Sequence, residues 1–179
     1  SYISTKVKDL AIMDVTGSYP ADKYVETERT IYPVMVDIFK EHNLQYLFGD
    51  YEAHTVLTFR DGIEPVNTPD LKGIKVRDYG KWIAETLKLW KGTPVNLPLS
   101  ELTMAIQNKT VDGVYIGWPN VKSFKLYEMM PNITEVGLSV FWESIVMNLD
   151  AYNKLTDEQK QIFEEVKWDA IQVMLENAN

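Results

Sequence analysis

The 179 residues contain no cysteine, which excludes disulfides and thiolate chemistry and leaves the compartment open, since a reducing cytoplasm and a cysteine-poor periplasm both tolerate the absence. There are two histidines, His42 and His54, and no carboxylates stand near them at a metal-ligand spacing, so no metal site is expected. No G-x-S-x-G elbow, G-x-x-x-x-G-K-[ST] loop or G-x-G-x-x-G fingerprint occurs, so the common nucleophile-elbow, P-loop and dinucleotide signatures are missing and no cofactor is expected. Lys and Arg number 18 against 26 Asp and Glu, a net charge of −8, and they form no stripe that could neutralise a phosphate backbone. Nucleic acid is therefore not an expected partner. No apolar run approaches the ~20 residues of a membrane span, so the chain itself is not expected to cross one. Ser1 is not followed by a basic segment and apolar core of the signal-peptide kind, which predicts a processed or trimmed form.

What is present is a chain with 45% hydrophobic residues, enough to bury a core, in which strand and helix patterns take turns. That alternation predicts α/β architecture with mainly parallel strands. A helix is expected from about Asp22 to Glu41, restarted or kinked by Pro33. Strands are expected over residues 44–48, 55–59, 74–77, 93–97, 111–116, 134–138 and 140–147. Between residues 77 and 93, Trp82, Ile83, Leu87 and Trp90 share one helical stripe and read as core, with Gly92 as a left-handed cap. Ser100 reads as the N-cap of a helix whose Leu102, Ala105 and Ile106 face inward. Trp118, between Gly117 and Pro119, is expected on a loop or cleft wall rather than in a helix.

The last helix opens with a Thr156/Gln159 capping box and carries Ile162, Phe163, Val166, Ala170 and Val173 on its expected inner face. Its outer face counts Asp157, Glu158, Glu164, Glu165, Asp169 and Glu176 against Lys160 and Lys167, six acids against two bases, so half of the net charge is a solvated helix face. One cation stands out instead. In Ile74-Lys75-Val76-Arg77 the alternation puts Lys75 and Arg77 on one face, and Arg77 falls at the carboxyl end of the strand, where ligand sites of open α/β sheets lie.

Four successive blocks, "DLKGIKVR", "PVNLPLSELTMAIQNKTVDGVYIGW", "FKLYE" and "VMNLDAYNKLTDEQKQIFEEV", resemble in order and spacing the DctP-type solute-binding proteins of bacterial TRAP transporters, over about Asn43 to Val173. The resemblance implies an α/β, periplasmic binding protein-like two-lobe fold, with this chain covering one lobe fully and parts of the other. It divides the chain into 1–69, the remainder of the N-terminal lobe and the crossover; 70–139, the second lobe with its clamping arginine; and 140–179, a return strand and C-terminal helix. It also implies a periplasmic binding protein and not an enzyme, one that closes over an organic acid anion and delivers it to TRAP transporter membrane subunits.

The residue that matches the family's carboxylate clamp is Arg77. Elsewhere the chain departs from the pattern: Leu99 stands in place of a phenylalanine, and Val114-Tyr115-Ile116 followed by Trp118 stand in place of a Q-E-N triplet. "YEAHTVLTF" offers His54 or Thr55 where a second arginine often stands. Arg77, Trp118, Trp142, His54 and Tyr115 are accordingly the expected ligand-binding residues, and the aromatics favour a small or apolar monocarboxylate. An α/β enzyme acting on a small carboxylate and the sensor lobe of a receptor are the alternatives. The chain begins in what resembles the end of the N-terminal lobe, so an exposed lobe surface is expected to make this stretch self-associate.

Overall fold

The structure, a computed structural model, describes residue 10 and residues 23–52, 55–63, 70–136 and 141–178. In chain order the elements are α1 (Tyr24–Lys40), β1 (Leu44–Glu52), β2 (Thr55–Phe59), β3 (Lys75–Asp78), α2 (Lys81–Leu89), β4 (Thr93–Asn96), a 3-10 turn (Leu99–Glu101), α3 (Leu102–Gln107), β5 (Gly113–Gly117), α4 (Trp118–Ser123), α5 (Leu126–Met129), β6 (Asn132–Glu135), β7 (Phe141–Asn148), α6 (Leu149–Asn153) and α7 (Asp157–Ala178). They form two compact units: β2 to β6 with α2 to α5 make the first, and α1, β1, β7, α6 and α7 the second. The upstream strand β2 and the downstream strand β3 thus share one sheet, across the 69/70 boundary expected from sequence.

The first unit is a five-stranded sheet in the order β4-β3-β5-β2-β6. β3 runs parallel to β4 and β5, while β2 runs antiparallel to β5 and β6. Because side chains alternate across a strand, Val56, Val114 and Ile116 enter one apolar cluster with Leu102, Ala105 and Ile106 of α3, and their neighbours Leu57, Phe59, Val76 and Tyr115 enter another with Ile83 and Leu87 of α2. Gly113 is required where β5 crosses Phe59: a Cβ there would lie 2.7 Å from the ring. Away from the carboxyl end, Asp112 accepts from the Lys75 N–H at 3.0 Å and pairs with Arg60 at 2.7 Å, while the Lys75 ammonium donates to the Lys109 carbonyl.

Several local expectations are corrected. Trp82 is 39% exposed under the Lys81 ammonium, and only Ile83 and Leu87 of the α2 stripe are buried, with Trp90 packed at the cluster's margin. The left-handed residue after α2 is Lys91 (φ 63°), not Gly92. Ser100 lies inside the 3-10 turn, and Glu101 rather than Ser100 stands at the N-cap of α3, with no side-chain bond.

In the second unit, α1 continues through Pro33 with Tyr24, Glu28, Met35 and Phe39 buried. The two-stranded β1–β7 sheet lies beside α1 and α7. The capping box forms as expected, with Thr156 N–H donating to Gln159 Oε1 at 2.9 Å and Gln159 N–H to Thr156 Oγ1 at 3.2 Å. The inner face of α7 does not: Ile162, Phe163, Val166 and Val173 are exposed, whereas Lys167 and Ile171 are buried. The Lys167 ammonium sits 3.7 Å from the Tyr32 ring centroid and pairs with Glu164 at 2.5 Å, so a cation counted with the solvated face is held inside.

Candidate functional site

Parallel strands β3, β4 and β5 end on the same side of their sheet, at Asp78, Asn96 and Gly117, and antiparallel β2 begins there because Thr55 lies opposite Gly117. Strand order therefore gathers Thr55, Arg77, Asp78, Asn96 and residues 115–118 at one carboxyl end, the usual place for a ligand crevice in an open α/β sheet.

Arg77 lies opposite Val95 and Val114 and is 2% exposed, which rules out a solvated strand face. Its Nε donates to the Leu97 carbonyl at 3.2 Å, just past the end of β4, and its Cζ is 5.9 Å from the Tyr79 ring centroid. The Tyr79 ring stacks on that of Tyr115, centroids 5.8 Å apart, and the Tyr115 hydroxyl lies 2.5 Å from the Thr55 hydroxyl. One line of contacts thus crosses three strands from Thr55 to the guanidinium and fixes where its planar fork stands. Beside it, Asp78 Oδ1 accepts from the Gly80 N–H at 3.1 Å and from Asn96 Nδ2 at 2.9 Å. The first bond closes an Asx turn that leads into α2.

Of the expected site residues, Arg77 and Tyr115 stand together at this end, both buried, Tyr115 in the α2-side cluster. Trp118 is at the same end but begins α4 instead of lying in a loop; Pro119 in the first turn suits a helix start, and the indole packs partly buried against the α3-side cluster. His54 lies outside the described residues, as does the side chain of Trp142, whose backbone is in β7 of the second unit. Asp78, Tyr79 and Asn96 were not anticipated. The D-x-G at 78–80 is the one local signal that could have found them. Among the described residues, no group of three or more His, Cys, Asp or Glu side chains could hold a metal ion, and no helix is long and apolar enough to cross a membrane.

Residues 1–179 match the DctP family, bacterial extracellular solute-binding protein family 7. The chain belongs to this family. Among curated DctP-like relatives, it is 29% identical over 147 residues to the ectoine-binding periplasmic protein TeaA of Halomonas elongata, covering 80% of this chain and 42% of that protein. It is also 29% identical over 102 residues to the sialic acid-binding periplasmic protein SiaP of Vibrio cholerae, covering 56% and 32%. The solved ectoine-binding protein of the Halomonas elongata TeaABC TRAP transporter superposes with a TM-score of 0.86 at 25% identity, over 98% of this chain and 58% of that one. A Polaromonas TRAP periplasmic solute-binding protein bound to D-erythronate gives 0.87 at 19% identity, over 99% and 59%. The fold is that of the TRAP periplasmic binding proteins, and the chain spans less than half the length of the curated relatives quoted.

Proposed function

We propose that this DctP-family chain is the arginine-bearing part of an extracytoplasmic solute-binding protein that captures a small organic acid anion and hands it unchanged to the membrane subunits of a TRAP transporter. The observation that carries the reading is the state of Arg77: a guanidinium 2% exposed at the carboxyl end of a parallel strand, oriented by the Leu97 carbonyl and the Tyr79 ring. A planar fork held in this way meets both oxygens of a carboxylate with little further loss of entropy. A periplasmic setting is supported by the periplasmic relatives TeaA and SiaP, and a carboxylate ligand by the D-erythronate bound in the Polaromonas protein.

The test is titration of the intact protein, with Arg77→Ala and Arg77→Lys, against D-erythronate, L-malate and ectoine, recovering the bound compound to see whether it is altered. Stripping one partner from a desolvated charge pair costs about 2–5 kcal/mol, so Arg77→Ala should weaken binding by roughly 30-fold to several thousand-fold, with Lys between. Since Arg77 is buried and bonded to the Leu97 carbonyl, Arg77→Ala should also lower the melting temperature, and titrations belong well below that transition. Affinities within about twofold in folded variants, the range of exposed charges, would remove Arg77 from the site. Recovery of a chemically changed compound would point to an enzyme instead.

A further inference from the structure

Thr55 and Tyr115 are both wholly buried, and their hydroxyl oxygens lie 2.5 Å apart. Thr55 opens β2 at the carboxyl end of the sheet, opposite Gly117. The Tyr115 ring belongs to the α2-side apolar cluster, and the ring of a phenylalanine would fill the same place. A buried hydroxyl pair adds little net stability, because each group gives up water to reach the other. What it adds is orientation, since a satisfied polar pair holds one arrangement where apolar contacts allow several.

The Tyr79 ring stacks on the ring held in this way, with centroids 5.8 Å and planes 27° apart. Tyr79 stands one residue past the end of β3, and its ring centroid lies 5.9 Å from the Arg77 Cζ. Arg77 leaves the strand on the side of its register partner Val114, which belongs to the α3-side cluster, whereas Tyr79 packs on the α2-side cluster. β3 ends between them at Asp78, so the two side chains meet around the strand end and not through the sheet. An aromatic face attracts a guanidinium without taking any of its N–H groups, and it therefore orients the fork without competing with a carboxylate for donors. We infer that Thr55 and Tyr115 are positioning residues for ligand binding: their hydroxyl bond sets the seat of the Tyr79 ring, and that ring keeps the Arg77 guanidinium in the orientation that meets a carboxylate. Tyr115 then serves binding through Tyr79 and not by touching the ligand. The inference rests on the reading of Arg77 as the carboxylate clamp.

The experiment measures melting temperature and affinity on the intact protein, using whichever of D-erythronate, L-malate and ectoine the parent binds most tightly. Tyr115→Phe and Thr55→Val each remove one hydroxyl and should weaken binding by about 2- to 5-fold. Each also leaves the other hydroxyl without this partner and should lower the melting temperature. The double variant Thr55→Val/Tyr115→Phe removes both, so most of the melting temperature should return. Its affinity should stay as low as that of the weaker single variant, because the brace is still missing. Affinity that returns together with stability marks a merely structural pair and overturns the inference. Tyr79→Leu should weaken binding by about 3- to 10-fold, Tyr79→Phe should recover most of that loss, and Tyr115→Phe added to Tyr79→Leu should cost less than about 1.5-fold more. A full further loss on that background would show that Tyr115 acts by another route and overturns the inference. If the single variants fail to fold, the double variant decides; if it fails too, Tyr79→Leu decides, and parental affinity there overturns the inference. Failure of the clamp reading looks different, since Arg77→Ala would then leave the affinity in place or the parent would bind none of the three compounds.

Discussion

The sheet that carries Arg77 is walled on both faces by apolar side chains, whereas the unit built on α1, β1, β7 and α7 sets buried polar side chains among apolar ones such as Met35, Phe39 and Ile171. In the first, adjacent residues of one strand, Val56 and Leu57 of β2 or Val114 and Tyr115 of β5, serve two separate apolar clusters, so these two strands are each anchored twice. In the second, Glu28 is wholly buried and accepts from the Tyr46 hydroxyl at 2.8 Å and the Gly49 N–H at 3.0 Å, Gln45 donates to the Tyr46 carbonyl, and Lys167 is enclosed by Tyr32 and Glu164. Apolar burial is roughly additive and insensitive to angle, while a buried polar network holds only when every partner is in place. A two-stranded sheet is also marginal by itself. The difference teaches that the platform for Arg77 is the robust part of the chain and that the second unit depends on specific bonds. Native-state hydrogen exchange should accordingly protect β2 and β5 longest; equal protection of β1 and β7 would end the comparison.

Single substitutions sharpen it, beginning with the largest effect. Phe59→Ala empties a wholly buried site between β2 and Gly113 and should cost about 3–5 kcal/mol, read as a lower denaturation midpoint with early exchange in β2 and β5. Should the loss appear only in α1 and α7, the robust unit has been misassigned. Tyr46→Phe removes one donor from the buried Glu28 carboxylate, leaving the Gly49 N–H in place, and should cost about 1–3 kcal/mol in the second unit. Burial and the neighbouring Glu28 carboxylate hold the Tyr46 phenol well above its ordinary range, so the folded state favours the protonated form. That contribution is complete below pH ~10, where the unfolded phenol titrates, and is lost as pH rises beyond it. The parent's lead over Tyr46→Phe in urea midpoint should therefore shrink between about pH 9 and pH 11, and a constant lead would show that Glu28 and Tyr46 are not linked in this way.

Smaller effects follow on α7. Lys167→Met removes the ammonium from Tyr32 and Glu164 and should cost about 0.5–2 kcal/mol, with no change in the exchange of β2 or β5. Thr156→Ala breaks one arm of the capping box and should cost roughly 1 kcal/mol by the same denaturation assay, confined to the first turns of α7. Either variant weakening β2 and β5 as much as α7 would mean that the two units do not differ in the manner described.

What the sequence by itself determined was set by neighbours along the chain: β2 over residues 55–59, the inward Leu102, Ala105 and Ile106 of α3, the Thr156/Gln159 box, and an arginine in the strand that precedes α2. Each rests on a period, a cap or a short motif, and such signals survive whatever the rest of the molecule does. Only the tertiary structure decided that β2 lies between β5 and β6, that Lys167 and not Phe163 turns inward, that Trp82 stays exposed while Arg77 is buried, and that Asp78 meets Asn96 at the strand ends. Those outcomes depend on which distant surfaces bury one another, and a periodic stripe states that a helix has two faces without stating which of them another element covers.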